Sequence, residues 1–218
     1  MKNNNPKIKI CGVKNNDIAK LLIDLDMDFI GLNFIKKSIR YLDEFTAKSI
    51  SKYIDKYREE KKAKIQKVGL FLDENVEKMN EISKKLNLDL VQLCGNENTE
   101  YISKSLIPVI KVIHIIENMS IEKLGEKIEY FSKVSEFIIL DTYSDTTAGG
   151  TGKTFDWSKY KKFFNKNIII AGGLNPKNIN KFINLYNPWG IDVSSGVESN
   201  KQKDSNKINL FVKNSQLI

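Results

Sequence analysis

Eight short apolar runs alternate with polar, helix-like stretches along the whole chain, and this alternation limits the possible folds more than any other feature. The runs are dense in Ile, Val, Leu and Phe, a composition typical of strands that are covered on both faces. They lie at Ile8–Val13, Phe29–Phe34, Gln66–Leu72, Leu90–Cys94, Val109–Ile115, Phe137–Asp141, Asn167–Ala171 and Gly190–Ser194. Strands that alternate with helices predict parallel pairing through β–α–β crossovers.

The stretches between the runs have the spacing of amphipathic helices. Two such stripes are Ile50, Tyr53, Ile54 and Tyr57, and Val76, Met79, Ile82 and Leu86. Residues at this spacing line one face of a helix, which then packs against the sheet. We expect Asp73 to cap a helix that opens at Glu74, and Asn175-Pro176 to give a cap followed by proline in the first turn.

Eight such units in 218 residues predict an α/β protein with a (β/α)8 barrel, also called a TIM barrel, near the lower size limit of that fold. An open doubly wound sheet is the alternative. The first strand ends in Cys11-Gly12-Val13, however, which is not a dinucleotide-binding glycine pattern. Since no linker rich in Pro, Gly or Ser divides the chain, we predict one domain over residues 1–218, with residues 1–6 as a flexible N-terminal tail.

Bulk composition argues against several classes of protein. A hydrophobic content of 41% and a charged content of 28% indicate a soluble globular chain. No apolar run reaches the roughly 18 residues that a membrane span needs, and the polar start at Met1–Pro6 is not a secretory signal. The only two cysteines, Cys11 and Cys94, argue against a disulfide scaffold. We expect a cytoplasmic protein.

The chain is basic, with a net charge of +8 and a pI of about 9.2. A basic face can bind nucleic acid. The lysines recur in pairs along many segments and do not pool in one block, which favours solvated helix faces instead. We therefore predict no nucleic-acid partner, although a basic surface attracts an anionic metabolite.

Glycine loops follow the last three strands. In a barrel of this type the loops after the strands open on one face, and those after strands seven and eight commonly bind phosphate. Glycines let the backbone N–H groups approach a ligand where a side chain would block it. The alternative is that these are ordinary turn glycines. The candidate phosphate-binding residues are Gly149 and Gly150 after strand six, Gly172 and Gly173 after strand seven, and Ser195 and Gly196 after strand eight.

Two residues at the same rim are candidates for acid–base chemistry. Asp141 is the only charge in its strand, and a partly desolvated carboxyl has a raised pKa that favours proton donation. Cys11 ends the first strand, where a thiolate can act as a base if its surroundings favour the charge. Lys9 shares the strand face of Cys11 and could therefore favour the thiolate, but strand spacing alone does not say whether that face points inward. The alternatives are a small core residue for Cys11 and a cap for Asp141.

Other polar residues give less specific evidence of function. Arg40, in the loop after strand two, can clamp a carboxylate through two parallel hydrogen bonds, or it is an ordinary surface arginine. Lys111 in strand five points either into the barrel mouth or towards a helix. His114, the only histidine, is assigned a structural role. No Cys/His cluster has the spacing of a metal site, so none is predicted.

Several stretches, in order and over nearly the full chain, resemble the phosphoribosylanthranilate isomerase family of tryptophan biosynthesis. They are Lys9–Gly12, Gly31–Phe34, Ser38–Tyr41, Val68–Phe71, Val91–Gly95, Leu140-Asp141, Gly149–Trp157, Ala171–Leu174, Asp192–Glu198 and the segment from Lys203-Asp204 to Lys207-Ile208. Any one of these stretches alone would be weak evidence for the resemblance.

The resemblance implies a (β/α)8 barrel that converts N-(5-phosphoribosyl)anthranilate to 1-(2-carboxyphenylamino)-1-deoxyribulose 5-phosphate, an Amadori rearrangement. It carries a general base onto Cys11, a general acid onto Asp141 and the anthranilate carboxylate onto Arg40, with Asp192 among the substrate-binding residues. The phosphate would rest on the glycine loops. No cofactor is implied, because the substrate nitrogen is the electron sink, and the implied partner is this small phosphosugar alone. Whether the chain is a monomer or a homodimer stays open.

The chain departs from the family pattern at two positions. Cys94 stands where relatives usually carry histidine, and Ile39 stands where they usually carry proline.

Two related enzymes are rival hypotheses for the function. The histidine-pathway sugar-phosphate isomerase would have an aspartate in place of Cys11, and indole-glycerol-phosphate synthase would need a lysine–glutamate pair and a longer N-terminal segment. A non-catalytic, nucleic-acid-binding barrel is the third, and none of the three uses Cys11 and Asp141 together.

Overall fold

The computed structural model of the chain describes residues 5–142, 155–165 and 167–216. Eight parallel strands form a closed barrel in sequence order. They are β1 (Lys7–Cys11), β2 (Phe29–Asn33), β3 (Gln66–Phe71), β4 (Leu90–Leu93), β5 (Val109–Ile115), β6 (Phe137–Thr142), β7 (Ile168–Ile170) and β8 (Gly190–Val193). The predicted (β/α)8 barrel is therefore confirmed, and the open doubly wound sheet is wrong.

Helices alternate with the strands and surround the barrel. They are α1 (Asn16–Asp24), α2 (Glu44–Lys61), α3 (Val76–Lys85), α4 (Thr99–Ser103), α5 (Ile121–Ser132), α6 (Trp157–Tyr160), α7 (Ile179–Tyr186) and α8 (Ser205–Ser215). Short 3₁₀ turns lie at Lys161–Phe163 and Ser195–Val197. A two-stranded antiparallel ribbon of β9 (Glu198–Ser199) and β10 (Gln202–Lys203) follows β8. No helix in the described part of the chain combines the length and apolarity that crossing a membrane requires.

The barrel closes where β1 pairs with β8, in a register that sets Lys9 beside Asp192. Alternate residues on each strand point inward, since side chains alternate across a strand. Most of the inward residues form one buried apolar cluster, which includes Phe29, Val68, Ile110 and Ile139. The outward residues pack against the helices in a second, larger cluster. The barrel interior is thus a packed core, and a candidate active site lies at the end formed by the C-terminal ends of the strands.

Two helix starts differ from the sequence-based prediction. Asp73 does not cap a helix; α3 begins at Val76, and the side chain of Asn75 accepts the capping hydrogen bond. Asp73 instead lies in a turn with φ of 46°. Asn175 likewise caps only a tight turn, because its side chain accepts from Lys177 N at 2.9 Å, and α7 begins four residues later.

The strand ends also differ by one or two residues. The first strand ends at Cys11 and not at Val13, because Gly12 has φ of 79° and turns the chain away. The start of the predicted N-terminal tail, residues 1–4, lies outside the described residues. Its last residue, Pro6, is buried just before β1.

Candidate active site

Cys11 is the last residue of β1 and belongs to the apolar cluster inside the barrel. Only 6% of the residue is exposed. Burial raises the pKa of its thiol, while the charge of Lys9 lowers it and that of Asp192 raises it further. Lys203 and Arg40 also lower the pKa of the thiol. The resting side chain is a thiol in a pocket with three cations around it.

Asp141 lies near the end of β6 and accepts a hydrogen bond from Thr142 N at 2.8 Å. The loop after β7 packs on this carboxylate, since a Cβ built on Gly172 would lie 3.2 Å from Oδ1. Burial raises the pKa of Asp141 to about 6, against an opposing effect of His114. Asp192 raises it further. A carboxyl with this pKa is partly protonated near neutral pH and can serve as an acid.

His114 lies beside Asp141, because these two residues are register partners on β5 and β6. Its Nε2 lies 3.0 Å from the carbonyl oxygen of Cys94, so Nε2 carries the proton in this contact. Spacing along β5 alone gave no signal of this placement, because it depends on the register between strands. Cys94 itself is half-buried, and Gln92 Nε2 donates to its sulfur at 3.3 Å. Burial raises the pKa of the Cys94 thiol to about 12.

Arg40 is buried and grips a carboxylate of the protein itself. Its Nε and Nη2 donate to the two oxygens of Glu198, each at 2.7 Å. Lys203 also pairs with Glu198, and both side chains are less than a tenth exposed. The sequence indicated the clamp geometry of Arg40, but Glu198 is a functional candidate that it missed. Because Glu198 follows β8, this pair ties the loop after β2 to the loop after β8.

The loop that carries Arg40 is ordered without the usual proline. Ser38 Oγ accepts from Arg40 N at 3.1 Å and from Asn33 Nδ2 at 3.3 Å. Ile39, in the proline position, is 53% exposed. Hydrogen bonds through Ser38 therefore hold this loop where the chain has no proline.

The predicted phosphate loops after β7 and β8 lie side by side. Gly172 and Gly173 have φ of 86° and 72°, and their N–H groups donate to no backbone carbonyl among the described residues. A Cβ on Gly196 would lie 1.9 Å from the carbonyl oxygen of Leu174, so the two loops are in direct contact. Ser195 opens the 3₁₀ turn that carries Gly196. Gly149 and Gly150, the third predicted loop, lie outside the described residues.

Two predicted polar residues have protein partners. Asp192 accepts a hydrogen bond from Lys9 Nζ at 3.1 Å inside the barrel. Lys111 faces outward, since it pairs with Glu97 at 2.6 Å and lies over the ring of Phe131 on α5. The alternative that Lys111 points into the barrel mouth is therefore wrong.

Sequence comparisons identify close relatives of the chain. A family model described as "N-(5'phosphoribosyl)anthranilate (PRA) isomerase" matches residues 8–214. The N-(5'-phosphoribosyl)anthranilate isomerase of Clostridium acetobutylicum is 36% identical over 210 residues, which are 94% of this chain and 96% of that protein. The enzyme of the same name from Dehalococcoides mccartyi is 37% identical over 210 residues, 94% of each chain.

Solved structures that resemble this fold carry the same enzyme name as these relatives. Phosphoribosyl anthranilate isomerase from Thermotoga maritima superposes with a TM-score of 0.81 at 31% identity, over 96% of this chain and 98% of that one. A phosphoribosyl anthranilate isomerase in complex with reduced 1-(o-carboxyphenylamino)-1-deoxyribulose 5-phosphate gives a TM-score of 0.77 at 30% identity, with the same coverage.

Proposed function

The chain belongs to the N-(5'-phosphoribosyl)anthranilate isomerase family, and we propose that it performs the family's reaction with Cys11 as general base and Asp141 as general acid. The reaction converts N-(5'-phosphoribosyl)anthranilate to 1-(2-carboxyphenylamino)-1-deoxyribulose 5-phosphate. One observation carries the assignment of roles. Gly172 packs on the carboxylate of Asp141, and Ser194 Oγ donates to the backbone carbonyl of Cys11 at 3.2 Å, so both residues border the loops after β7 and β8.

The acid step opens the ribose ring. Asp141 donates its proton to the ring oxygen as the bond from that oxygen to C1′ breaks, and the nitrogen lone pair forms the C1′=N bond of a Schiff base. A carboxyl with a pKa of about 6, raised chiefly by burial, suits this donation. Its product is a carboxylate that accepts from Thr142 N.

The base step removes the proton from C2′. The Cys11 thiolate takes this proton, the C–H electrons form the C1′=C2′ bond, and the C=N electrons return to nitrogen. The resulting enolamine tautomerises to the ketone as its hydroxyl loses a proton and C1′ gains one. General acid and general base assistance of this kind are each typically worth about 10²–10⁴-fold in rate.

Substrate anchoring is assigned to groups around this pair. The phosphate is proposed to bind at the N–H groups of Gly172, Gly173, Ser195 and Gly196. The N–H groups of glycine turns suit an anion, and those of Gly172 and Gly173 donate to no backbone carbonyl among the described residues. Arg40 is proposed to meet the anthranilate carboxylate. Its Nε and Nη2 are held by Glu198, which leaves Nη1 as the donor that it can direct into the mouth.

Purified protein tests this function directly. Freshly prepared N-(5'-phosphoribosyl)anthranilate loses its anthranilate-type fluorescence as it is converted, so the initial rate of that loss measures turnover. We expect a rate that is saturable in substrate and abolished in Cys11→Ala/Asp141→Asn. A wild-type rate equal to the buffer blank would overturn the proposal.

A further inference from the structure

A charged pair lies inside the barrel, one layer below Cys11. Lys9 Nζ donates to Asp192 Oδ1 at 3.1 Å, and the two side chains are 0% and 10% exposed. Lys9 precedes Cys11 by two residues on the same inward face of β1, which is about 7 Å along the strand. Burial lowers the pKa of Lys9, but Asp192 and Cys11 raise it above its ordinary value, so the ammonium is charged.

Stability alone does not account for a charged pair in this position. Most other side chains of the same interior are apolar, including Val68, Leu90, Ile110 and Ile169, and the buried polar residue Gln92 carries no charge. Removing two charges from water is costly, and an apolar pair of similar volume is often as stable or more stable. Within the described part of the chain, Asp192 is the one group that accepts a hydrogen bond from Lys9 Nζ. The pair therefore calls for an explanation in the chemistry above it.

The orientation of the pair supplies that explanation. Around the wall the strands run β6, β7, β8, β1, and these strands carry Asp141, an apolar stretch, Asp192 and Lys9 in that order. The positive end of the pair thus lies on the strand of Cys11. The negative end lies on the side of the barrel that holds Asp141.

We propose that the Lys9–Asp192 pair is an oriented dipole that favours the productive placement of one proton, on Asp141 and off Cys11. This inference rests on the proposed roles of those two residues. Thiol plus carboxylate and thiolate plus carboxylic acid have the same net charge, so solution pH does not select between them. A fixed dipole does select, because its positive end stabilises the thiolate and its negative end stabilises the protonated carboxyl. Lys9 and Asp192 are positioning residues in this account.

The electrostatic effects have the sign that the proposal needs. At Cys11, after the dominant effect of burial, Lys9 lowers the pKa more strongly than Asp192 raises it. At Asp141 the order is reversed, and Asp192 raises the pKa more strongly than Lys9 lowers it. Other charges face the two groups as well. Lys203 and Arg40 act in the same direction as Lys9 at Cys11, and His114 opposes Asp192 at Asp141.

The test is the titration of Cys11 in Lys9→Met, followed as the pH dependence of iodoacetamide alkylation. Peptide mass mapping separates Cys11 from Cys94, and the measurement needs no substrate, so its failure is distinct from a failure of the proposed function. We expect the apparent pKa of Cys11 to rise by at least one unit and kcat to fall about tenfold or more. KM should change less than threefold. Lys9→Arg, which keeps the charge, should have a Cys11 pKa and a kcat close to those of the wild type.

Lys67→Met is the matched control. Lys67 is also 0% exposed and pairs with an aspartate, Asp55, at 2.7 Å, but it lies on the outer face of β3 against α2. The Lys67→Met substitution should lower the free energy of unfolding and leave the Cys11 titration unchanged. A folded Lys9→Met with the wild-type titration would overturn the proposal.

If Lys9→Met does not fold, Lys9→Met/Asp192→Asn removes both charges together and leaves no unpaired one. The proposal predicts that the pKa of Cys11 rises and that of Asp141 falls in this double variant. Unshifted values for both groups would equally overturn it.

Discussion

Arg40 donates two parallel hydrogen bonds of 2.7 Å to Glu198, so its guanidinium is fixed at the rim of the barrel by a residue 158 positions away in sequence. The same carboxylate pairs with Lys203, and all three side chains are buried. Glu198 thereby occupies Nε and Nη2 of Arg40 and leaves Nη1 for the proposed contact with the substrate carboxylate.

Glu198→Gln should weaken substrate binding more than it slows chemistry. The neutral amide keeps the shape but loses the charge that holds Arg40, and disruption of a buried charge pair commonly costs about 2–5 kcal/mol. We expect KM to rise about tenfold or more with kcat within threefold of wild type, in steady-state fluorescence kinetics. Glu97→Gln is the control, since Glu97 is equally buried and pairs with Lys111 and not with Arg40. A wild-type KM in Glu198→Gln would remove Glu198 from the site.

Gly12→Ala should destabilise the fold and disturb Arg40. An added Cβ would lie 2.5 Å from Arg40 Cδ, and the backbone at residue 12 has φ of 79°, which favours glycine. We expect a loss of about 1–3 kcal/mol in the free energy of unfolding, measured in urea, together with a raised KM. Gly125→Ala offers the opposite case. Gly125 lies inside α5, and a Cβ added there would have its nearest contact at 3.5 Å. The substitution should therefore raise the free energy of unfolding by about 0.5–1 kcal/mol. Equal effects of the two substitutions would contradict this account.

The activity should depend on pH through the proton that Cys11 and Asp141 share. The pKa of Asp141 is raised to about 6, chiefly by burial, and that of Cys11 is also raised. Below about pH 6 both groups hold a proton and the thiolate is absent, so kcat/KM should rise as pH increases through about 6. It should then fall only at alkaline pH, when the last proton leaves the pair. Because His114 lowers the pKa of Asp141, His114→Asn should move the acid limb to higher pH. An acid limb near pH 4 would contradict the assignment.

Asp141→Asn should stabilise the folded protein while removing activity. A carboxyl with its folded pKa raised from 3.8 to about 6 contributes full stability below pH 3.8 and loses it as pH rises through 6. The native carboxylate therefore costs about 3 kcal/mol at pH 8. Urea unfolding at pH 8 should show Asp141→Asn to be more stable than wild type, with the difference shrinking towards pH 4. A variant less stable than wild type at pH 8 would show that the carboxylate has stronger partners than Thr142.

The sequence predicted the fold and the places of Cys11 and Asp141 at or near strand ends, because these depend on local pattern. Eight apolar runs of strand length predict the barrel, and a residue that ends a strand lies at the mouth whichever strands are its neighbours. Cys11 and Asp141 are of this kind. The glycines after β7 and β8 are as well.

Contacts between distant segments could not be predicted in the same way. Lys9 and Asp192 are 183 residues apart, and their pairing follows from barrel closure and register. The position of His114 beside Asp141 also depends on register. The helix starts at Val76 and Ile179 were missed for another reason. The side chain of Asp73 accepts a hydrogen bond from Asn96 N in the loop after β4, and that of Asn175 accepts one from Lys177 N in a turn. A sequence does not distinguish these contacts from a helix cap.

The turnover number of Cys11→Ala, measured by fluorescence loss under saturating substrate, tests the central claim most directly. Circular dichroism and urea unfolding confirm that the variant is folded, and Cys94→Ala controls for the loss of a thiol from the protein. The account predicts that kcat falls at least a hundredfold in Cys11→Ala and at least as far in Asp141→Asn, with a much smaller loss in Cys94→Ala. A folded Cys11→Ala that turns over at the wild-type rate would contradict it.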